Sequence, residues 1–298
     1  MDFSASRRHF LASGTAAATA ASLGRRLQAA DAATGLKGRI NHSVCKWCYP
    51  KVPFAQLCEA SKAMGIASID LVDPPDFETM KQYGLTSGMV SFPTIAGPNG
   101  EKVGSIPFGF NRPEHHDLLV KAYEPLLEAS ARAGMKQVIC FSGNRNGMDA
   151  ESGLKNCADG LKKILPLAEK HGITLVMELL NSRVNHPDYM CDTSAWGIQL
   201  VKAIASERFK LLFDIYHMQI MEGDIIATIR KNHQYFAHYH TGGVPGRHEI
   251  DETQELNYPA IMKAIVDTGY KGWVAQEFIP AKPDALASLK QAVGICDV

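Results

Sequence analysis

A closed parallel (β/α)8 barrel of the TIM type is the fold this chain predicts, and three observations carry the expectation. Short apolar runs alternate with helix-patterned stretches between residues 38 and 298. Strands joined through helices run parallel, since parallel neighbours need long crossovers. Eight such units over about 260 residues match a closed barrel in size. Neither GxGxxG nor GxxxxGK[ST] occurs, which argues against a doubly wound open sheet with a phosphate loop.

Residues 39–45 read as the first strand and 53–64 as an amphipathic helix. IASIDLV (66–72) is the second strand, stopped by Asp73-Pro74-Pro75. A short helix (76–83) and a third strand (86–92) follow. The long loop 93–112, with its glycines and prolines, is expected to lie over the functional face, because loops of this length inside a compact domain are commonly functional. Residues 113–133 form a helix opened by Pro113 and closed at Gly134. KQVICF (136–141) is the fourth strand, and 151–171 a helix stopped by Gly172. The fifth strand (173–177) leads to a helix at 193–204, with Asp192 as its expected cap. The sixth strand (209–213), a short helix (223–232), the seventh strand (235–239), a helix (258–268), the eighth strand (273–276) and a last helix (284–293) complete the series.

Residues 1–33 differ in kind. Ser6-Arg7-Arg8-His9-Phe10-Leu11 has a twin-arginine pattern, followed by an Ala-rich stretch and small residues near Ala29 to Ala33. This reads as a bacterial export signal, disordered or cleaved, and implies a periplasmic mature protein. The barrel is assigned to 38–298. The hydrophobic share of 46% supplies a core, and 31 basic against 31 acidic residues leave no nucleic-acid footprint. Beyond the signal no apolar run is long enough for a stable membrane span. The seven cysteines have no paired spacing apart from Cys45-Lys-Trp-Cys48. A zinc half-site would need a second pair, so the two are read as lining the barrel mouth, free to close in an oxidising compartment.

Four apolar runs in the second half end in a potential ligand. They are ITLVMELLN (173–181), FKLLFDIYHMQ (209–219), QYFAHYHTGG (234–243) and WVAQEF (273–278). Their ends carry Glu178, Asp214, His240 and Glu277. A carboxylate against so apolar a strand is costly unless it is paired or binds a metal. One would be weak evidence; four from separate strands make a constellation, because successive barrel strands end at one rim. Oxygen and imidazole donors suit one divalent ion, Mn²⁺, Mg²⁺ or Co²⁺. Two glutamates across that ion can remove and return a carbon-bound proton. A multi-zinc barrel endonuclease would need more histidine ligands and a basic surface.

ELLNSR (178–183), FDIYHMQ (213–219), HYHTGGVPGRHE (238–249), ELNYP (255–259) and QEF (276–278) resemble the hydroxypyruvate isomerase family of the xylose-isomerase-like barrels, which also include the ketose 3-epimerases. The resemblance covers roughly the last 130 residues of the chain. It implies that Glu178, Asp214, His240 and Glu277 hold one ion, with Glu178 and Glu277 as the proton-transfer pair. It also implies substrate contacts from His217 and Arg247. Asn181 contacts substrate or shapes its loop, and Trp47 forms an apolar wall or packs in the core. His240 stands where bacterial hydroxypyruvate isomerases can have Gln and the epimerases have His. The expected activity is isomerisation of a small hydroxy-carbonyl compound through an ene-diolate, hydroxypyruvate to tartronate semialdehyde. A ketose 3-epimerase or other sugar isomerase is the near alternative, and a non-catalytic periplasmic binder of a sugar or metal the distant one. The expected partner is a small-molecule substrate, with homo-oligomerisation left open.

Overall fold

The structure, a computed structural model, describes residues 35–298. The proposed export signal lies outside them. Seven parallel strands form one curled sheet. In chain order they are β1 (Asn41–Cys45), β2 (Ser68–Asp70), β5 (Gln137–Cys140), β6 (Thr174–Glu178), β7 (Phe209–Asp214), β8 (Phe236–Thr241) and β9 (Trp273–Gln276). Their spatial order is β2-β1-β9-β8-β7-β6-β5. The apolar runs fall where the core needs them: Leu175, Val176, Met177, Leu211, Leu212 and Phe213 are fully buried, as strands covered on both faces require.

The third expected strand is not a continuous one. Residues 86–91 instead join β2 to β5 through isolated parallel bridges, Ser68 to Thr86, Val72 to Val90 and Val90 to Val138. Ile69 N donates to Thr86 O at 2.9 Å, and Ile139 N to Val90 O at 3.1 Å, so this segment closes the ring. The interruption is local. Gly88 N donates to Ser68 Oγ at 2.6 Å rather than to a strand neighbour. A Cβ on Gly88 would lie 2.7 Å from the Trp273 ring and 3.0 Å from Asp70 Oδ1, so only glycine fits this close approach.

The helices cover the outside: α1 (Phe54–Ala63), α2 (Phe77–Gln82), α3 (His116–Arg132), α4 (Ala150–His171), α5 (Ser194–Ile204), α6 (Ile215–Met221), α7 (Ile225–Asn232), α8 (Tyr258–Asp267) and α9 (Ala285–Cys296). α4 begins at Asp149, whose carboxylate accepts from Glu151 N and Ser152 N, and ends at Gly172 with φ 65°. α5 is capped by Thr193 rather than by Asp192. Asp192 is engaged elsewhere, by Arg145 at 2.9 Å and Ser182 at 2.6 Å. The loop 93–112 carries a small antiparallel hairpin, β3 (Ile95–Ala96) and β4 (Lys102–Val103). It is fastened to the outgoing end of β5, where Phe110 N donates to Phe141 O at 3.1 Å and Asn111 N to Ser142 O at 2.7 Å. No helix among the described residues is long and apolar enough to cross a membrane.

Candidate metal centre and active site

The strand register brings the four expected ligands together. Asp214 pairs with His240 across β7 and β8, and His240 with Ala275 across β8 and β9. Glu178 ends β6, while Glu277 leaves β9 with its N–H donating to Thr241 O at 3.1 Å. Asp214 and His240 are fully buried, and Glu178 and Glu277 are 4% and 2% exposed. One ligand atom from each of these four side chains lies within 4.8 Å of the others.

α6, which the sequence reading missed, starts at this cluster. Asp214 is its N-cap and accepts from His217 N at 3.1 Å. The capping Asp three residues before His217 was the available signal. Arg247 supplies positive charge. Its Nη2 donates to Asp214 Oδ2 at 3.1 Å and also to Glu277 Oε2. Its guanidinium lies 5.2 Å from the Trp47 ring centre and 5.4 Å from that of Tyr216. His240 Nδ1 bonds Glu277 Oε2 at 2.7 Å and stands 3.4 Å from Glu178 Oε1. Trp47 is 42% exposed, yet its Nε1 donates to Glu277 Oε1 at 2.8 Å. It is therefore a polar partner of Glu277 as well as a wall.

These contacts push the two glutamates apart. Burial raises Glu178, and the nearby charge of Glu277 raises it further. Glu277 is buried too, but Arg247 and His240 outweigh that cost and hold its carboxyl well below the usual range. Burial pushes Asp214 up to about 8 against the pull of Arg247. Burial opposes charge on His240, yet Cys45, Glu277 and Asp70 raise it overall. Of these three the carboxylates carry the effect, because burial drives the Cys45 thiol itself far up and keeps it neutral. Cys45 and Cys48 are both buried free thiols, without the depressed pKa of a reactive cysteine.

The residues present fit a divalent cation. Three carboxylates and an imidazole converge, with Arg247 the only guanidinium bonded to them among the described residues. Glu178 Oε1 is buried without a hydrogen-bond partner. A hard dication would satisfy that oxygen and favour ionised Asp214.

A cavity of about 370 Å³ opens over the cluster. Glu178, Glu277 and Arg247 reach it on the polar side, and Leu71, Phe92, Ile106 and Phe141 form much of the opposite wall. Phe92 and Ile106, at the two ends of the segment 92–106, bring the ends of the long loop to this face. His186, given no role from the sequence, also lines the cavity. His217, expected to touch substrate, and Asn181, expected to touch substrate or shape its loop, are not among the residues lining this cavity. Asn181 Oδ1 accepts from Val184 N and Asn185 N at 3.0 and 2.9 Å, and its Nδ2 lies 2.6 Å from His217 Nδ1. Asn181 thus shapes the turn after β6 and orients His217. His217 Nε2, buried and unbonded, faces Asp214 Oδ2 at 3.6 Å.

A family model described as the xylose isomerase-like TIM barrel matches residues 59–293. The chain belongs to that family. Among relatives of this xylose isomerase-like barrel is a 2-oxo-tetronate isomerase from Cupriavidus necator, 34% identical over 113 residues, which are 38% of this chain and 43% of that protein. A human protein with a provisional hydroxypyruvate isomerase name is 33% identical over 105 residues, 35% of this chain and 38% of the other. The matched segment thus spans less than half of either relative. A solved structure titled as an AP endonuclease, family 2, from Brucella melitensis superposes with a TM-score of 0.72 at 26% identity. It covers 84% of this chain and 97% of the other.

Proposed function

We propose that the protein is a divalent-metal-dependent isomerase of a small hydroxy-carbonyl substrate, similar to hydroxypyruvate isomerase, which interconverts hydroxypyruvate and tartronate semialdehyde. The observation that carries this reading is the pair Glu178 and Glu277. They come from separate strands, face one cavity, share His240 and have environments that drive their pKa values in opposite directions. Such a divergent pair is the pattern of an acid and a base at one site. The names of the Cupriavidus and human relatives support an isomerase.

Glu178, Asp214, His240 and Glu277 would hold the ion, which when bound supplies electrophilic stabilisation of negative charge on the substrate oxygens. Glu277, kept ionised, removes the proton from the hydroxyl-bearing carbon. Glu178 delivers a proton to the neighbouring carbon, and the substrate's hydroxyl proton passes to the former carbonyl oxygen, which completes passage through an ene-diolate. Trp47 Nε1 fixes one oxygen of Glu277, leaving the carboxylate a single orientation. Arg247 holds Asp214 and Glu277 in place and offers its remaining donors to a substrate carboxylate or hydroxyl. Phe92, Ile106 and Trp47 exclude water from the reacting carbons.

A sugar substrate, as in a ketose 3-epimerase, has one observation in its favour. The cavity volume of 370 Å³ equals roughly a dozen water volumes, more space than a three-carbon acid fills. A four-carbon 2-oxo acid or a ketose uses it better. Nuclease chemistry has no comparable support, since the formal charge is balanced at 31 against 31. Export through the twin-arginine pattern at Arg7 and Arg8 to the periplasm completes the proposal.

The test is incubation of Mn²⁺-loaded protein in deuterated water with hydroxypyruvate, 2-oxo acids of four carbons and free ketoses, followed by NMR. Deuterium is expected at the carbon beside the carbonyl of one class, and only after metal loading. A protein that binds these compounds and exchanges no carbon-bound hydrogen is a binder, not an isomerase.

A further inference from the structure

Inside the barrel, beside the four-residue cluster, lies a further buried carboxylate that the proposed chemistry does not use. Asp70 ends β2 with no exposed surface. Its Oδ1 accepts from Ser43 Oγ at 2.6 Å and Ser68 Oγ at 3.2 Å. Its Oδ2 lies 2.5 Å from His238 Nε2. Ser68 is itself held by the N–H of Gly88, at the one place where a Cβ would meet Asp70 Oδ1. Three strands and the closing segment thus fix a single carboxylate in the barrel interior.

We propose that Asp70 is a positioning residue for the ion site, acting through His240. The ring of His240 has two faces. Nδ1 points at Glu277 and Glu178, at 2.7 and 3.4 Å. Nε2 points the other way, at Asp70 Oδ2 (3.7 Å) and Cys45 Sγ (3.8 Å). An imidazole that offers Nδ1 as a ligand carries its proton on Nε2. Metal-ligating histidines almost always give that second N–H to a carboxylate, carbonyl or water, which sets the tautomer and the ring plane. A thiol is a weak acceptor, so of the two groups facing Nε2 the carboxylate is the partner. The present 3.7 Å exceeds a hydrogen bond, and a ring shift of under an ångström would make one. Ser43, Ser68 and His238 keep Asp70 from moving away. The position is also economical: its charge lies on the far side of the ring from the substrate cavity, where it can orient His240 without contacting substrate.

The inference rests on the four-ligand reading above, and one titration separates the two. Mn²⁺ affinity is measured from the EPR signal of free ion for wild type, Asp70→Asn and Ser43→Ala, with near-UV circular dichroism as the check on folding. Wild type is expected to bind one Mn²⁺. Asp70→Asn should bind about 10–100-fold more weakly, with turnover recovering at saturating Mn²⁺, so that the loss lies in metal affinity rather than kcat. Ser43→Ala, which leaves the carboxylate and loosens its anchor, should shift affinity in the same direction by a smaller factor. A folded Asp70→Asn with wild-type affinity overturns the proposal while leaving the four ligands intact. If Asp70→Asn does not fold, an unchanged affinity in Ser43→Ala overturns it. A wild-type protein that binds no Mn²⁺ overturns the ligand set and this proposal together.

Discussion

Glu178→Gln and Glu277→Gln should each lower isomerisation by about 10²- to 10⁴-fold at saturating Mn²⁺, the range general acid–base groups supply. Both substitutions keep the size of the side chain and remove its ability to carry a proton. The two losses should not add in the double variant, because both groups serve one proton-transfer sequence and work as a unit. Glu277→Gln should be the more damaging to the apo protein, since it leaves Arg247 and His240 facing an amide where they now face a carboxylate. Deuterium uptake by the substrate is the readout. Turnover within a few-fold of wild type for either variant removes that residue from the proton path.

Arg247→Met is expected to be the largest stability change at the site. Arg247 is 8% exposed and, among the described residues, is the one guanidinium bonded to Asp214 and Glu277. Removing one partner of a buried ion pair costs about 3 kcal/mol or more, because the other charge is left uncompensated. In a barrel of this size that corresponds to a Tm fall on the order of 10 °C in the presence of a chelator. Mn²⁺ should then raise the Tm of the variant by more than it raises that of wild type, since the dication takes over the neutralising role. A methionine variant as stable as wild type in chelator would mean that these carboxylates do not depend on the guanidinium.

The second half of the chain was the legible half. Glu178, Asp214, His240 and Glu277 each follow an apolar strand, and a barrel brings consecutive strand ends to one rim, so spacing alone located them. The same signal was present in the first half and went unused: Asp70 lies in IASIDLV, as apolar a run as those that flagged Glu178. His238 carries no local signal of a role, and only the fold reveals that it bonds Asp70. The third strand read as regular because TSGMVSF has strand composition. Its hydrogen bonds are instead divided between β2 and β5 around Gly88, a tertiary arrangement with no periodic signature. Asn181 was open between touching substrate and shaping its loop, and its bonds to its own turn and to His217 fit the second. Trp47 was read as an apolar wall or a core residue; its bond to Glu277 joins residues 230 apart and has no local trace.

Anomalous diffraction from Mn²⁺-soaked crystals tests the ion site most directly. One peak per chain is predicted, within about 2.5 Å of oxygen or nitrogen atoms of Glu178, Asp214, His240 and Glu277. A peak coordinated by Asp70 and His238 instead, or Mn²⁺-soaked crystals without any peak among these four side chains, would contradict the account.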